Sequence, residues 1–445
     1  MSLFKFIKTL NYGDIPEHTR YLVNISLLDI LGVMAGARDS ETSCNIRNYA
    51  AQYYPALEGI NTRLMFDGRP VNPLGAAWAG GFTADSLDAH EGHFTSKGHA
   101  GATVVPALFA LADACRDQGR EISGKEFLTA LAIGYETGLR AGVALMDTAA
   151  EYHASGAFSG LGVVCAAARL LDLDEETFLH ALGIAEYFGP RCPMMRLVDF
   201  PSMLRDAHGA GGYAGVNAVF MAQYGITGAP AETVQQDKIN YCWNDLGKRW
   251  EIDAQYFKPW PVCRWAQPSL TAVTAMMAQH PEINGGNVEH VRVETFHESM
   301  RLQGHFPANA DEAQYGLAFP LAALISRGQV GPEEVTGDAI HAEDILQVSR
   351  LIEIVEADDL SERFPEEILS RVTIQLKDSQ TLTSPITQAK GDPATAMTEQ
   401  EFIDKFRLLT GVSFSAQQQD QIISVVQNLA SAEQCSELFD LVMQA

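Results

Sequence analysis

From about residue 16 to residue 229 the apolar side chains recur at helical spacing with little interruption, and this most limits what the chain can fold into. The segment 19–36 carries Leu22, Ile25, Leu28, Leu31 and Met34 three residues apart, which predicts an amphipathic helix. Segments 104–117, 124–143, 156–171 and 175–185 read the same way. Ser123-Gly-Lys-Glu predicts a capping box, and Asp174-Glu-Glu puts carboxylates at a helix start, where the peptide dipole favours them. Small residues crowd Gly75-Ala-Ala-Trp-Ala-Gly-Gly and Gly209-Ala-Gly-Gly-Tyr-Ala-Gly, so helices there can approach closely.

The pattern changes beyond Phe257-Lys-Pro-Trp-Pro. Residues 288–295, 350–355 and 371–377 alternate apolar and polar side chains, the mark of half-buried strands. Helical spacing returns over 399–409 and 420–441. The expected fold is therefore mainly α. A large helical domain would be formed by both chain ends (1–264 and 393–445), with a smaller α+β domain, 265–392, inserted between them.

Charge narrows the partners. Thirty-one basic against 56 acidic side chains leave a net charge of −25, which disfavours nucleic acid and anionic membrane surfaces. An anionic substrate would then need a local cationic pocket. No run approaches the roughly 18 apolar residues of a membrane span, and no signal peptide is evident at the N-terminus. Seven cysteines without a C-x-x-C pair fit a reduced compartment, so a cytoplasmic location is expected.

Four windows concentrate chemistry. Leu87-Asp88-Ala-His90-Glu91-Gly-His93-Phe-Thr-Ser-Lys97-Gly-His99 packs three histidines, two carboxylates and a lysine into a glycine-punctuated stretch, which reads as a functional loop. It lacks the H-E-x-x-H spacing of a helical zinc site, so no metal is expected there. Glu151-Tyr-His153-Ala-Ser155 precedes an alanine-rich helix, with Ser155 as the expected N-cap. A helix N-terminus disfavours imidazolium, so His153 there would be neutral and able to act as a base. Arg191, Arg196 and Arg205 cluster in a chain short of cations, and arginine forks suit carboxylates. Lys258, Arg264 and Gln267 lie on the inferred domain boundary, where ligand sites are common. Phosphate-binding glycine motifs and the G-x-S-x-G elbow are absent, so nucleotide and serine-hydrolase chemistry have no support.

Taken in order, these motifs resemble the MmgE/PrpD family, whose members include 2-methylcitrate dehydratase, cis-aconitate decarboxylase and iminodisuccinate epimerase. The matching segments are Leu87-Asp88 to His99 with Val104-Val-Pro-Ala-Leu, His153-Ala-Ser-Gly, and Met203-Leu-Arg205-Asp through Gly225-Ile-Thr-Gly-Ala-Pro. They continue with Phe257-Lys-Pro-Trp-Pro-Val-Cys-Arg-Trp, Glu312-Ala-Gln-Tyr315-Gly-Leu-Ala-Phe-Pro and Gly391-Asp-Pro. The resemblance implies a helical domain with an inserted lid, a homodimer, an active site between core and lid, and no metal or organic cofactor. It places Asp88, His99 and His153 on family active-site positions.

This chain departs from the family pattern at Gly92, at His90-Glu91, at Arg205 in place of lysine and at Gln267 in place of histidine. Arginine stays charged, so Arg205 is expected to clamp a carboxylate. The expected function is a cofactor-independent lyase that removes a proton next to a carboxylate of a small di- or tricarboxylic acid, with loss of water. Epimerisation or decarboxylation of a related acid is the alternative. His153 and His99 are the expected base and acid, with Asp88 orienting them and Tyr315 as a donor. Arg205, Lys258, Arg264, His90, Gln267 and Arg196 would bind substrate. A metal-dependent hydrolase and a non-catalytic carboxylate-binding protein are the rivals.

Overall fold

The computed structural model describes residues 2–444. The expected helices form at Glu17–Gly36, Gly101–Asp117, Gly124–Thr148, Gly156–Leu170 and Glu175–Phe188. Ser123 caps the Gly124–Thr148 helix by accepting from the Glu126 amide. The reciprocal half of the expected capping box is missing, because the Glu126 carboxylate pairs with Arg169 instead.

Two large apolar cores stand out among several smaller clusters in the described residues. The larger runs from Phe6 to Ile252 and takes in Phe406 through Met443, so the C-terminal helices Glu399–Thr410, Ala416–Asn428 and Ser436–Val442 pack with the N-terminal half. Close backbone contact is built in. A Cβ on Gly81, in the Pro73–Asp85 helix, would sit 2.5 Å from the Gly209 nitrogen of the His208–Gln223 helix. The small-residue segments therefore do let helices touch.

The second core gathers Leu197 and residues 262–376. Its sheet centres on Val288–Thr295, parallel to Ile352–Glu356 on one side and antiparallel to Leu369–Leu376 on the other. Thr381–Thr383 and Thr387–Gln388 pair with that last strand. Val291, Val293 and Thr295 are buried, as the alternation requires, and Val288 joins them across a register shift between Val288 and His290. The Gln267–Gln279 and Ala318–Arg327 helices supply the rest of this core. No single helix among the described residues is long and apolar enough to cross a membrane, and the seven cysteines are all free.

Candidate functional site

The loop between Asp85 and Gly101 carries the histidine cluster and is held at both ends by buried polar contacts. Gly92–His93 pairs antiparallel with Gln255–Tyr256. A Cβ on Gly92 would lie 2.4 Å from the Tyr256 ring and 2.7 Å from His99 Nδ1, so glycine lets these side chains close over the loop. Asp88 adopts φ +45°. Its carboxylate Oδ1 and its carbonyl accept from the Lys258 ammonium at 2.6 and 2.9 Å. Both residues are nearly inaccessible, Asp88 at 3% and Lys258 at 1%. Burial pushes the Asp88 carboxyl upward, and Lys258 opposes that rise.

His99 is oriented by its neighbours. Its Nδ1 lies 2.5 Å from the Glu91 carbonyl, which can only accept, so Nδ1 carries the hydrogen and Nε2 is bare in the neutral ring. Burial, reinforced by the nearby His90 and Lys258, pushes the His99 pKa well below its ordinary value. Nε2 sits 3.9 Å from Asp206 Oδ2. Asp206 is itself buried and is raised to about 7 by desolvation and by Asp85. Ser155 joins the two residues: its hydroxyl accepts from the His99 amide and donates to Asp206. That engagement is why Ser155, at the first turn of Gly156–Leu170, makes no side-chain cap, contrary to expectation.

Asp88, His99 and Lys258 line a cavity of about 510 Å³ together with Arg264, Tyr315, Tyr152 and Tyr256. Arg264 stacks over Tyr256 at 4.3 Å and pairs with Asp392 through one terminal nitrogen. Its Nε and Nη1 are buried without a partner. Unmet buried donors on a cation are costly, so they mark a place for an anionic ligand. Burial raises the Tyr315 phenol well above its ordinary value, keeping it a hydrogen-bond donor.

Five expected site residues fall outside this lining. Arg205 is buried but already committed: it pairs with Asp311 at 2.7 Å and donates to Gln314 and to the Asp85 carbonyl at 2.8 Å each. These contacts occupy its two terminal nitrogens and fix the chain around the site, while its Nε is buried without a partner. Gln267 donates to the carbonyls of Trp260 and Val262, bracing the proline-rich turn before Arg264. His90 lies one layer back, 3.3 Å from Asp85 Oδ1, with its ring centroid 4.4 Å from that of His99. Arg196 is exposed. The same helix, Met194–Asp199, turns Met194, Met195 and Val198 to the cavity and Leu197 into the second core. His153 forms an isolated bridge with Pro193, and the adjacent Tyr152 lines the cavity in its place.

Residues missed by the sequence reading include Asp206, Tyr152 and Tyr256. Asp206 stands directly after Arg205 in the arginine window, and a carboxylate beside so many cations was a usable signal. The tyrosines gave none, since their role comes from tertiary placement.

Asp85, His90 and His208 bring one ligand atom each within 4.8 Å of one another, and all three are buried. His208 Nδ1 meets Thr103 Oγ1 at 2.7 Å, and its Nε2 has no hydrogen-bond partner. This trio has the donor set to hold a divalent cation.

Residues 1–245 match the MmgE/PrpD N-terminal domain and residues 260–431 the MmgE/PrpD C-terminal domain. The chain belongs to the MmgE/PrpD family. Among its relatives is the cis-aconitate decarboxylase-like protein oryM of Aspergillus oryzae, 24% identical over 99% of this chain and 96% of that one. Cis-aconitate decarboxylase of Aspergillus terreus is 21% identical over 85% of this chain and 83% of its own length. The Homo sapiens protein of the same name is 23% identical over 98% and 92%. These relatives are enzymes, and this family member is one too, of the lyase, isomerase or decarboxylase kind. Its mainly α architecture is that of the family.

Proposed function

We propose that this enzyme is a cofactor-independent lyase acting on a small di- or tricarboxylic acid in the cavity beneath Arg264. The observation that carries this reading is the mostly buried Arg264, which has two unpartnered donors and lines the same cavity as the Lys258–Asp88 pair and a histidine held neutral. Arg264 and Lys258 take the carboxylates and stabilise the enolate-like charge as it develops. His99 Nε2, bare at neutral pH, removes the proton next to a carboxylate. Asp206, with a pKa near 7, shares that proton. Tyr315 protonates the departing hydroxyl, so water leaves. Residues 265–392 serve as the lid that brings Trp265, Tyr315 and Ile368 over the substrate. The same reading takes the enzyme as a cytoplasmic homodimer.

Decarboxylation is the second reading, favoured by the names of the relatives. Loss of carbon dioxide from an unsaturated tricarboxylate leaves a carbanion. The same cations spread its charge, and Tyr315 or protonated Asp206 then delivers a proton to carbon.

Proton NMR of the enzyme with citrate, 2-methylcitrate, cis-aconitate and a racemic aspartate-derived dicarboxylate separates the cases. Olefinic signals from a hydroxy acid establish dehydration, and loss of a carboxyl group from cis-aconitate establishes decarboxylation. With the reactions run in D₂O, deuterium entering next to a carboxylate without net conversion marks an epimerase. No change in any of the four overturns the proposal.

A further inference from the structure

The walls of the cavity differ in kind. Asp88, Lys97 and His99 come from the histidine loop and Lys258 and Arg264 from the turn after Tyr256, and Asp147 and Glu298 add two carboxylates elsewhere on the wall. Another part is apolar: Met146, Met194, Met195, Val198, Phe364 and Ile368. All of these but Ile368 are only partly buried, although Met146, Met194 and Val198 also pack against the two cores and Phe364 stacks on Phe296. Three come from one short helix, Met194–Asp199, that sends its arginine outward, so the local sequence places apolar atoms at this wall.

A small tricarboxylic acid has no use for such a wall. At about 510 Å³, the space falls within the roughly 300–1,000 Å³ of pockets that enclose drug-sized ligands. Methionine is also the side chain best able to mould itself to a flexible chain. We infer that the substrate carries a hydrocarbon arm: a di- or tricarboxylate substituted with an alkyl chain several carbons long. The carboxylates sit at Lys258 and Arg264, and the chain lies along the methionine-rich wall. This rests on the proposed function for the carboxylate end and adds the substrate class.

The test is calorimetric titration of the full-length protein with succinate and its 2-methyl, 2-butyl and 2-octyl derivatives, and with the corresponding dimethyl esters. The expected result is a two- to about fourfold gain in affinity per methylene, the upper value following from about 0.8 kcal/mol per buried CH₂. The esters lose this binding, since the arm alone does not hold the ligand. Met195→Glu, which puts a charge on the apolar wall, reduces the ratio of octyl to methyl affinity at least tenfold. Affinity that is flat or falls beyond the methyl derivative overturns the arm and leaves the proposed function standing. An unchanged ratio in Met195→Glu does the same. Failure of every carboxylate to bind, short or long, removes the site reading and this inference with it.

Discussion

Replacing Lys258 with methionine separates the structural from the chemical work of its ammonium. Methionine is close in length and apolar, so the cavity wall keeps its shape. What is lost is the cation 2.6 Å from Asp88 Oδ1 and 2.9 Å from its carbonyl, in a place where both residues are buried. Stripping one partner from a buried ion pair leaves an uncompensated charge and costs about 3–5 kcal/mol. A chain of 445 residues that unfolds cooperatively has an unfolding entropy near 0.9 kcal/mol per degree, so the midpoint falls by about 3–6 °C. The penalty has a definite pH dependence. Burial raises the Asp88 pKa in the folded state, and without Lys258 nothing nearby opposes that rise as strongly. The loss is therefore absent below the unfolded pKa near 4 and grows as pH rises through the folded value. Adding Asp88→Asn removes the charge and restores most of the stability, but activity stays at least ~10²-fold down because the cation is gone. Scanning calorimetry from pH 4 to 8, with turnover of the single and double variants, checks this. A Lys258→Met protein as stable as wild type at pH 8, or a double variant that regains activity, refutes the reasoning.

Three further outcomes follow from the geometry. His99→Gln should lower kcat by ~10²-fold or more, whereas His153→Ala, outside the cavity lining, should stay within about tenfold; steady-state kinetics of the pair would expose a misassigned base. Glu91 is raised to about 8 by burial and by Asp29, and Asp206 to about 7 by burial and by Asp85. Both folded values exceed the unfolded ones, so their stabilising contributions are full below pH 4 and vanish as pH climbs through 7 to 8. Denaturant melts between pH 5 and 9 should show a flatter profile for Glu91→Gln than for wild type. Dialysis against EDTA should leave turnover and melting midpoint unchanged; a loss of either would turn Asp85, His90 and His208 into a metal site.

Local signals were legible in the sequence wherever one element determined them. The Val288–Thr295 strand ends where its alternation ends, and the helix expected over 124–143 begins at its Ser123 cap. Signals that depend on partners far along the chain were not legible. Glu126 satisfies every local rule for a capping box yet bonds Arg169, 43 residues away. Ser155 looked like an N-cap, but its hydroxyl is spent on Asp206 and His99. The loop around Asp88 and His99 and the pair Lys258 and Arg264 could be singled out because each window is chemically crowded. The pairing of Arg205 with Asp311 could not be seen, because Asp311 lies more than a hundred residues on. Nor could the window around His153 show that His153 bridges to Pro193 while the adjacent Tyr152 lines the cavity.

The central claim is that His99 removes a proton next to a carboxylate held by Arg264 and Lys258. Tricarballylate isolates that step, since it has such protons but no hydroxyl to lose. Proton NMR in D₂O should show its methylene signals fading as deuterium enters with the wild-type enzyme, and at least ~10²-fold more slowly with His99→Gln. Methylene signals that persist with wild type, or fade equally with both proteins, would contradict the account.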